Sequence, residues 1–311
     1  PATGAFQPLT PQSPYYKGCV ASGALNNGDP STQLKTRNGG NPALQPETAK
    51  VYTVGLVVEP RWVKNLAMTV DYCHYSIDNS ITTRGPTAIL DQCLIADGGN
   101  QESPACKAIS RNADGVVNNI MDLNTNVGGD SVDGIDIGAR YTLPTEFGRF
   151  GWIFDGTWLH KYDRTLPSGQ VLHAQGNFDL GIINNGTGGV YPSWKFNTGV
   201  NYALGGFAAN VNMRFTAGYH ECGTLNGPTY CPLPSADTLY QHDIPAYTVW
   251  NAAVGYGFQS VAGRTSITAG INNLFNIDPP AMYSVFTAPL GDPTAYDYVG
   301  RFFYLRLAQS I

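Results

Sequence analysis

The side chains with most chemistry to offer are six cysteines, at positions 19, 73, 93, 106, 222 and 231, and five histidines, at 74, 160, 173, 220 and 242. Four of the cysteines fall in pairs: Cys93 and Cys106 share one long stretch rich in Gly, Asn and Pro, and Cys222 and Cys231 share another. Each pair is expected to close a local bridge in an oxidising compartment. Loops of this length constrain the unfolded chain by about 3 kcal/mol in the entropic account. A zinc site would need four ligands at short spacing, and the sequence holds neither a CxxC nor a neighbouring His pair. Cys73 is expected to remain a free thiol, and Cys19 to be free or to pair with a cysteine outside this sequence. The histidines are scattered, without a nucleophile elbow, a phosphate-cradling glycine loop or an HExxH segment. His220 beside Glu221 is the best local acid–base pair, and a polar loop without catalytic role is the expected reading. Neither an enzymatic activity nor a cofactor is expected. With 18 Lys+Arg against 23 Asp+Glu and no basic cluster, nucleic acid is not an expected partner either.

The elements that must carry these residues are strands. Glycine (36) and tyrosine (18) are plentiful, and no apolar run reaches the length of a membrane-crossing helix. Alternation of apolar and polar residues picks out nine segments. Tyr52, Val54, Leu56 and Val58 oppose Thr53 and Gly55; Leu66, Met68, Val70 and Tyr72 oppose Thr69 and Asp71; Ile135, Ile137 and Tyr141 oppose Asp136 and Arg140. Phe150, Trp152, Phe154 and Trp158 oppose Asp155 and Thr157. Trp194, Phe196, Val200 and Tyr202 oppose Lys195, Asn197 and Asn201. After the Leu204-Gly205-Gly206 turn, Phe207, Val211, Met213, Phe215 and Tyr219 oppose Asn210, Asn212 and Arg214. Segments around Trp250–Tyr256, Ile267–Ile271 and Phe303–Ile311 complete the set.

Connections between these segments alternate in length. Residues 59–65, 144–149, 203–206 and 258–263 are tight, whereas 79–130, 162–192, 220–245 and 276–296 are long. All tight links then lie at one end of the sheet, an asymmetry found in outer-membrane barrels with short periplasmic turns and long outer loops. Aromatics bracket the apolar faces: Trp194 with Tyr202, Phe207 with Tyr219, Phe150 with Trp158, and Trp250 with Tyr256. Eight to twelve tilted residues cover roughly 20 to 30 Å, the height of an apolar membrane band. The competing architecture is a secreted or surface β-sandwich that binds carbohydrate through its aromatics.

Motifs in order along the chain resemble the C-terminal barrel portion of TonB-dependent outer-membrane receptors. They are Asn41-Pro42-Ala43-Leu44-Gln45-Pro46-Glu47 leading into Tyr52-Thr53-Val54-Gly55-Leu56, Asp71-Tyr72 before Ile77-Asp78-Asn79-Ser80-Ile81, Asn126 and Gly128 before Asp133-Gly134-Ile135-Asp136, Ile271-Asn272-Asn273-Leu274-Phe275-Asn276, and Gly300-Arg301-Phe302-Phe303-Tyr304. The chain departs from the pattern at its end, where Gln309 interrupts the apolar parity and Ile311 stands in place of an aromatic.

The resemblance implies an all-β fold: an antiparallel up-and-down transmembrane β-barrel, of which residues 46–311 are a nine-strand C-terminal portion in the bacterial outer membrane. Residues 1–45 are then an extracellular loop and lead-in, and the plug domain and earlier strands lie outside this sequence. The implied partners are outer-membrane lipid, an extracellular small-molecule ligand such as an iron–siderophore complex, and the TonB energy-coupling complex, reached through the absent N-terminal portion. Tyr191, Tyr230, Tyr240 and His242 are the candidate ligand contacts in the outer loops, with headgroup anchoring as the alternative role of the tyrosines. Arg140, Lys195 and Arg214 either face an anionic substrate or pair with Asp136 and Asp155 on neighbouring strands. Pairing is the expected arrangement.

Overall fold

The computed structural model describes residues 10–24, 34–165, 171–179, 190–224, 238–261, 263–282 and 295–310. The chain divides into two compact units.

The larger unit is built on nine strands: β1 (Thr48–Val58), β2 (Leu66–Asp78), β3 (Gly129–Thr145), β4 (Gly148–Thr165), β5 (Trp194–Leu204), β6 (Phe207–Thr216), β7 (Tyr247–Ser260), β8 (Gly263–Asn272) and β9 (Phe302–Ser310). Each is hydrogen-bonded to its neighbour in sequence, so the sheet runs β1 to β9 without a crossover. These are the nine segments that alternation picks out. Strands β3 and β4 extend past their alternating runs at the end away from the tight turns, where Asp130, Asp133, Lys161, Asp163 and Arg164 make the side chains polar.

Register fixes the two faces. Phe196 lies opposite Phe215, Val200 opposite Val211 and Leu204 opposite Phe207. Between them, Asn197 faces Arg214 and Asn201 faces Asn210 on the other side of the sheet. Among the described residues no second layer covers the apolar face: Val200 is 48% exposed, Leu305 75% and Leu307 70%. A sandwich would bury these side chains, so the carbohydrate-binding alternative loses its structural basis.

Aromatics gather at two heights on the apolar face. Trp158 stacks on Trp194 (ring centroids 6.1 Å apart) and Phe196 on Phe215 (4.8 Å). Nearer the tight turns, Phe150 packs on Tyr202 (4.9 Å) and Tyr256 on Phe258 (6.3 Å). From Trp194 to Tyr202, eight residues along a tilted strand span about 20 Å, close to the height of a hydrocarbon band. Tyr219 is the exception to the expected girdle. Strand β6 ends at Thr216, and Tyr219 resumes in a separate strand, where it is only 3% exposed in a core with Phe178, Ile244, Tyr247, Val249, Met282 and Tyr296. The break at Ala217-Gly218 resets the parity that an unbroken alternation would carry through.

Two residues that look foreign to their faces are accommodated by cross-strand partners. Gln309 sits opposite Thr265, whose hydroxyl lies 2.5 Å from the Gln309 Oε1. On the opposite face Gly270 lies beneath the ring of Tyr304, where a Cβ would fall 2.3 Å from the ring carbon Cζ.

The smaller unit comprises residues 1–48, 78–129 and 166–169, of which the described parts follow. Helix Tyr16–Ala21, helix Pro86–Asp91 continuing into the π-helical turn Gln92–Ala96, and helix Pro104–Lys107 surround a disulfide between Cys93 and Cys106. Gly18 permits the closest approach: a Cβ there would lie 1.9 Å from the Leu94 carbonyl oxygen. Strand Thr36–Gly39 pairs in parallel with Val117–Leu123, which also pairs with Ile109–Arg111. Buried Asp122 accepts from the backbone N–H groups of Arg84 (2.9 Å) and Gly85 (3.0 Å).

Candidate functional site

The polar face of β6 to β9 carries a chain of asparagines. Asn251 Nδ2 donates to Asn212 Oδ1 (2.8 Å), and Asn251 Oδ1 accepts from the backbone N–H of Asn273 (2.9 Å). Asn273 and Asn276 both adopt left-handed backbone conformations, φ 52° and 53°, which asparagine tolerates better than other side-chain-bearing residues. Asn273 is 5% exposed, and its amide brackets Ile277, donating to the carbonyl and accepting from the N–H. Asn276 Oδ1 accepts from the Arg301 N–H (3.0 Å). The Ile271-Asn272-Asn273-Leu274-Phe275-Asn276 segment therefore ties both ends of the 276–301 connection to the wall.

Beside this hub lies a cavity of about 170 Å³ lined by Arg214, Tyr247, Asn251, Asn272, Asn273 and Asp297. Arg214 and Asp297 face each other at 3.8 Å, each side chain 51% exposed, and Tyr247 Oη donates to the Asp297 carbonyl (3.4 Å). A guanidinium, a carboxylate and several amides converge here. The set suits hydrogen bonding to an oxygen-rich or charged small molecule and contains no nucleophile held by a base.

Further along the same unit, strands Tyr219–Thr224 and Thr238–Ile244 form an antiparallel pair in which His220 lies opposite Asp243 and Glu221 opposite His242. The imidazole Nδ1 of His220 is 2.6 Å from Asp243 Oδ1, and that of His242 is 3.1 Å from Glu221 Oε2. Successive side chains point to opposite faces, so His220 and Glu221 do not form a pair, and each has a cross-strand partner of its own. Glu221 is fully buried. A polar cleft of about 450 Å³ opens here between Gln175, Asn177, Ser193, His220 and Asp243. A larger hollow of about 590 Å³, over Ala252, Ala269 and Leu305, is apolar and lies on the uncovered face, away from these groups.

The candidate ligand contacts are spread over this geometry. Arg214 lines the small cavity, and its carboxylate partner is Asp297 of the 276–301 connection instead of a residue on a neighbouring strand. Asp136 instead accepts from Thr157 Oγ1 (2.5 Å). Among the described residues Arg140 and Lys195 form no ion pair, so the expected pairing of all three cations with Asp136 and Asp155 is corrected. The reason is geometric: Asp297 arrives on a connection whose path the strand pattern does not encode. Tyr191 packs edge-on against Tyr162 (4.5 Å), and its carbonyl accepts from Gly176 in the wall of the cleft. His242 is turned to Glu221. Only the backbone of Tyr240 is described; Tyr230 and Cys231 lie outside the described residues, as does the Cys222 side chain.

Cys73 and Cys19 are free thiols. Burial pushes the Cys19 thiol above its usual range, with Arg111 working in the opposite direction. Burial, and then a hydrogen bond to Asp91, likewise raise Tyr15. Among the described residues no group of three or more His, Cys, Asp or Glu is arranged to hold a metal ion.

Comparison with known proteins identifies the fold that carries these residues. The family model described as "TonB dependent receptor-like, beta-barrel" matches residues 4–274. The ferric enterobactin receptor of Pseudomonas aeruginosa, in a mutant form, superposes with a TM-score of 0.55 at 19% identity over 88% of this chain and 32% of its own. The siderophore receptor PirA of Acinetobacter baumannii gives 0.51 at 15% identity over 87% and 32%. The FrpB iron transporter of Neisseria meningitidis gives 0.50 at 12% identity over 86% and 32%. This chain thus spans about a third of the length of these structures. No curated protein matches it.

Proposed function

The chain belongs to the TonB-dependent receptor β-barrel family, and from that premise we propose that its nine strands are the C-terminal wall of a receptor that takes up a scarce nutrient, with an iron–siderophore complex as the substrate class. Family members are outer-membrane barrels, and the uncovered apolar face of β1 to β9 is the surface such a barrel turns to lipid. The opposite, polar face then lines the lumen.

The observation that carries the reading is the placement of Arg214, Tyr247 and Asp297 around one cavity on that lumenal face. A guanidinium next to a phenol and a carboxylate recognises ligands that display both oxygen anions and hydroxyl groups, as iron chelates do. Among the similar structures, the ferric enterobactin receptor of Pseudomonas aeruginosa is described in complex with enterobactin, which supports an iron chelate as the substrate class. In the same reading residues 1–45 are an outer loop leading into β1, the outer loops hold Tyr191, Tyr230, Tyr240 and His242 at the ligand entrance, and the TonB complex acts through a portion N-terminal to these strands.

Growth on ferric chelates as the sole iron source tests the substrate class. Cells dependent on the receptor that contains this chain are expected to grow on a catecholate or hydroxamate iron complex, and Arg214→Ala is expected to raise the concentration required by about tenfold, the loss of one charge-assisted contact. Growth support for an oligosaccharide, with none for any iron complex, would overturn the assignment.

A further inference from the structure

The end of the sheet that bears the tight turns has a composition unlike the rest of the chain. Residues 59–65, 145–149 and 259–264 supply Arg61, Lys64, Arg149 and Arg264 against Glu59 and Glu146, a basic balance in a chain whose acids outnumber its bases, 23 to 18. All four cations are exposed, and among the described residues none forms an ion pair. Three of the four turns also hold up an apolar tip: Trp62 is 87% exposed, Phe147 78% and Val261 fully. The Phe147 tip is held in place, since Tyr202 Oη donates to the Phe147 carbonyl and Thr145 Oγ1 to that of Gly148.

Each tip sits three or four residues beyond the last apolar side chain of the uncovered face: Phe147 before Phe150, Trp62 after Val58, Val261 after Phe258. At about 3.3 Å per residue on a tilted strand this is at most about 8 to 10 Å below the apolar band, in the headgroup layer. An indole or phenyl ring at that depth has an apolar body to bury and a polar zone around it. Unpaired guanidinium and ammonium groups beside it complement a phosphodiester whose charge is not cancelled by its own headgroup.

We propose that this rim is a docking surface for anionic phospholipids of the periplasmic leaflet, with Arg61, Lys64, Arg149 and Arg264 holding the phosphodiesters and Trp62 and Phe147 inserted among the headgroups. The proposal rests on the outer-membrane reading above. It predicts local enrichment of anionic over zwitterionic lipid at the three turns that carry these cations by about tenfold, given the usual attraction of each basic residue to an anionic surface.

The test is quenching of tryptophan fluorescence in the full chain reconstituted into mixed phosphatidylcholine and phosphatidylglycerol vesicles, with bromines placed shallowly in the acyl chains of one lipid or the other. The Trp62 signal is the difference between wild type and Trp62→Phe; Trp152, Trp158, Trp194 and Trp250 report on the lipid-facing wall. Brominated phosphatidylglycerol is expected to quench Trp62 far more effectively than brominated phosphatidylcholine. The preference should vanish in the fourfold variant Arg61→Gln, Lys64→Gln, Arg149→Gln, Arg264→Gln and, in wild type, as salt is raised. Equal quenching of Trp62 by both lipids, or none while the other four tryptophans are quenched, overturns the rim proposal and leaves the membrane reading standing. Absence of quenching at all five overturns both.

Discussion

The nine-strand wall and the disulfide-tied unit solve the same problem with opposite surfaces. In the wall, backbone ladders satisfy the polar groups and the apolar side chains are left outside, with Leu305 and Leu307 more than two-thirds exposed. In the smaller unit, Cys93, Leu94, Ala105 and Cys106 are turned inward around one covalent link. Such an apolar exterior is tolerable only if the solvent is hydrocarbon, whereas a core of four buried residues needs a crosslink because it removes little area from water. The two regions should therefore respond to different perturbations.

The largest expected effect separates the faces of the wall. Leu305→Arg places a charge at mid-height on the apolar face and is expected to cost about 2–4 kcal/mol for the chain folded in vesicles. Asn201→Arg, on the polar face, should cost no more than about 0.5 kcal/mol. Urea titration of both variants in vesicles reads the contrast directly. If the two cost the same, the apolar face is not in lipid.

That contrast was legible from the sequence, because period-two alternation survives wherever one face meets one solvent and the other face a different one. It supplied all nine strands and even the ends carrying the turns. It failed at Tyr219, where a two-residue break resets the parity and turns a supposed girdle residue into core. It also gave no hint of the helices within 86–107, which are too short for a 3.6-residue period to register and are specified by tertiary contact, such as Gly18 against Leu94. The Cys93–Cys106 bridge was legible from spacing within one connection. The candidate site is legible only in part: Arg214 stands out as a cation on the polar face of a strand, but its partner Asp297 and the asparagine hub at 273 and 276 depend on how a long connection folds back, which residue patterns do not record.

The second expected effect belongs to the smaller unit. Cys93→Ser with Cys106→Ser removes the crosslink and should lower the local stability of residues 86–107 by about 3 kcal/mol. Amide hydrogen exchange in that segment should rise by about two orders of magnitude, the conversion of that energy. Unchanged exchange would mean that Ile120, Leu94 and their neighbours hold the unit without the bridge, and the contrast with the wall would then be one of packing alone.

The smallest effect probes how the wall treats a polar group on its lipid side. Trp152 Nε1 donates to Thr198 Oγ1 (3.0 Å), and the same hydroxyl donates to the Ile153 carbonyl (2.9 Å). Both side chains are on the apolar face, Thr198 paired with Phe154 across the strands, so neither group has water as an alternative partner once the face is in hydrocarbon. Thr198→Val keeps the shape and removes the hydroxyl, leaving the indole N–H unsatisfied, and should cost about 1 kcal/mol in vesicles, within the range measured for side-chain hydrogen bonds in membranes. The cause can be isolated by a double-mutant cycle, since Trp152→Phe deletes the donor itself. In that background Thr198→Val should cost distinctly less. An equal cost in both backgrounds would assign the effect to the lost Ile153 contact, and the wall would then be shown to satisfy its lipid-side polar groups through backbone carbonyls alone.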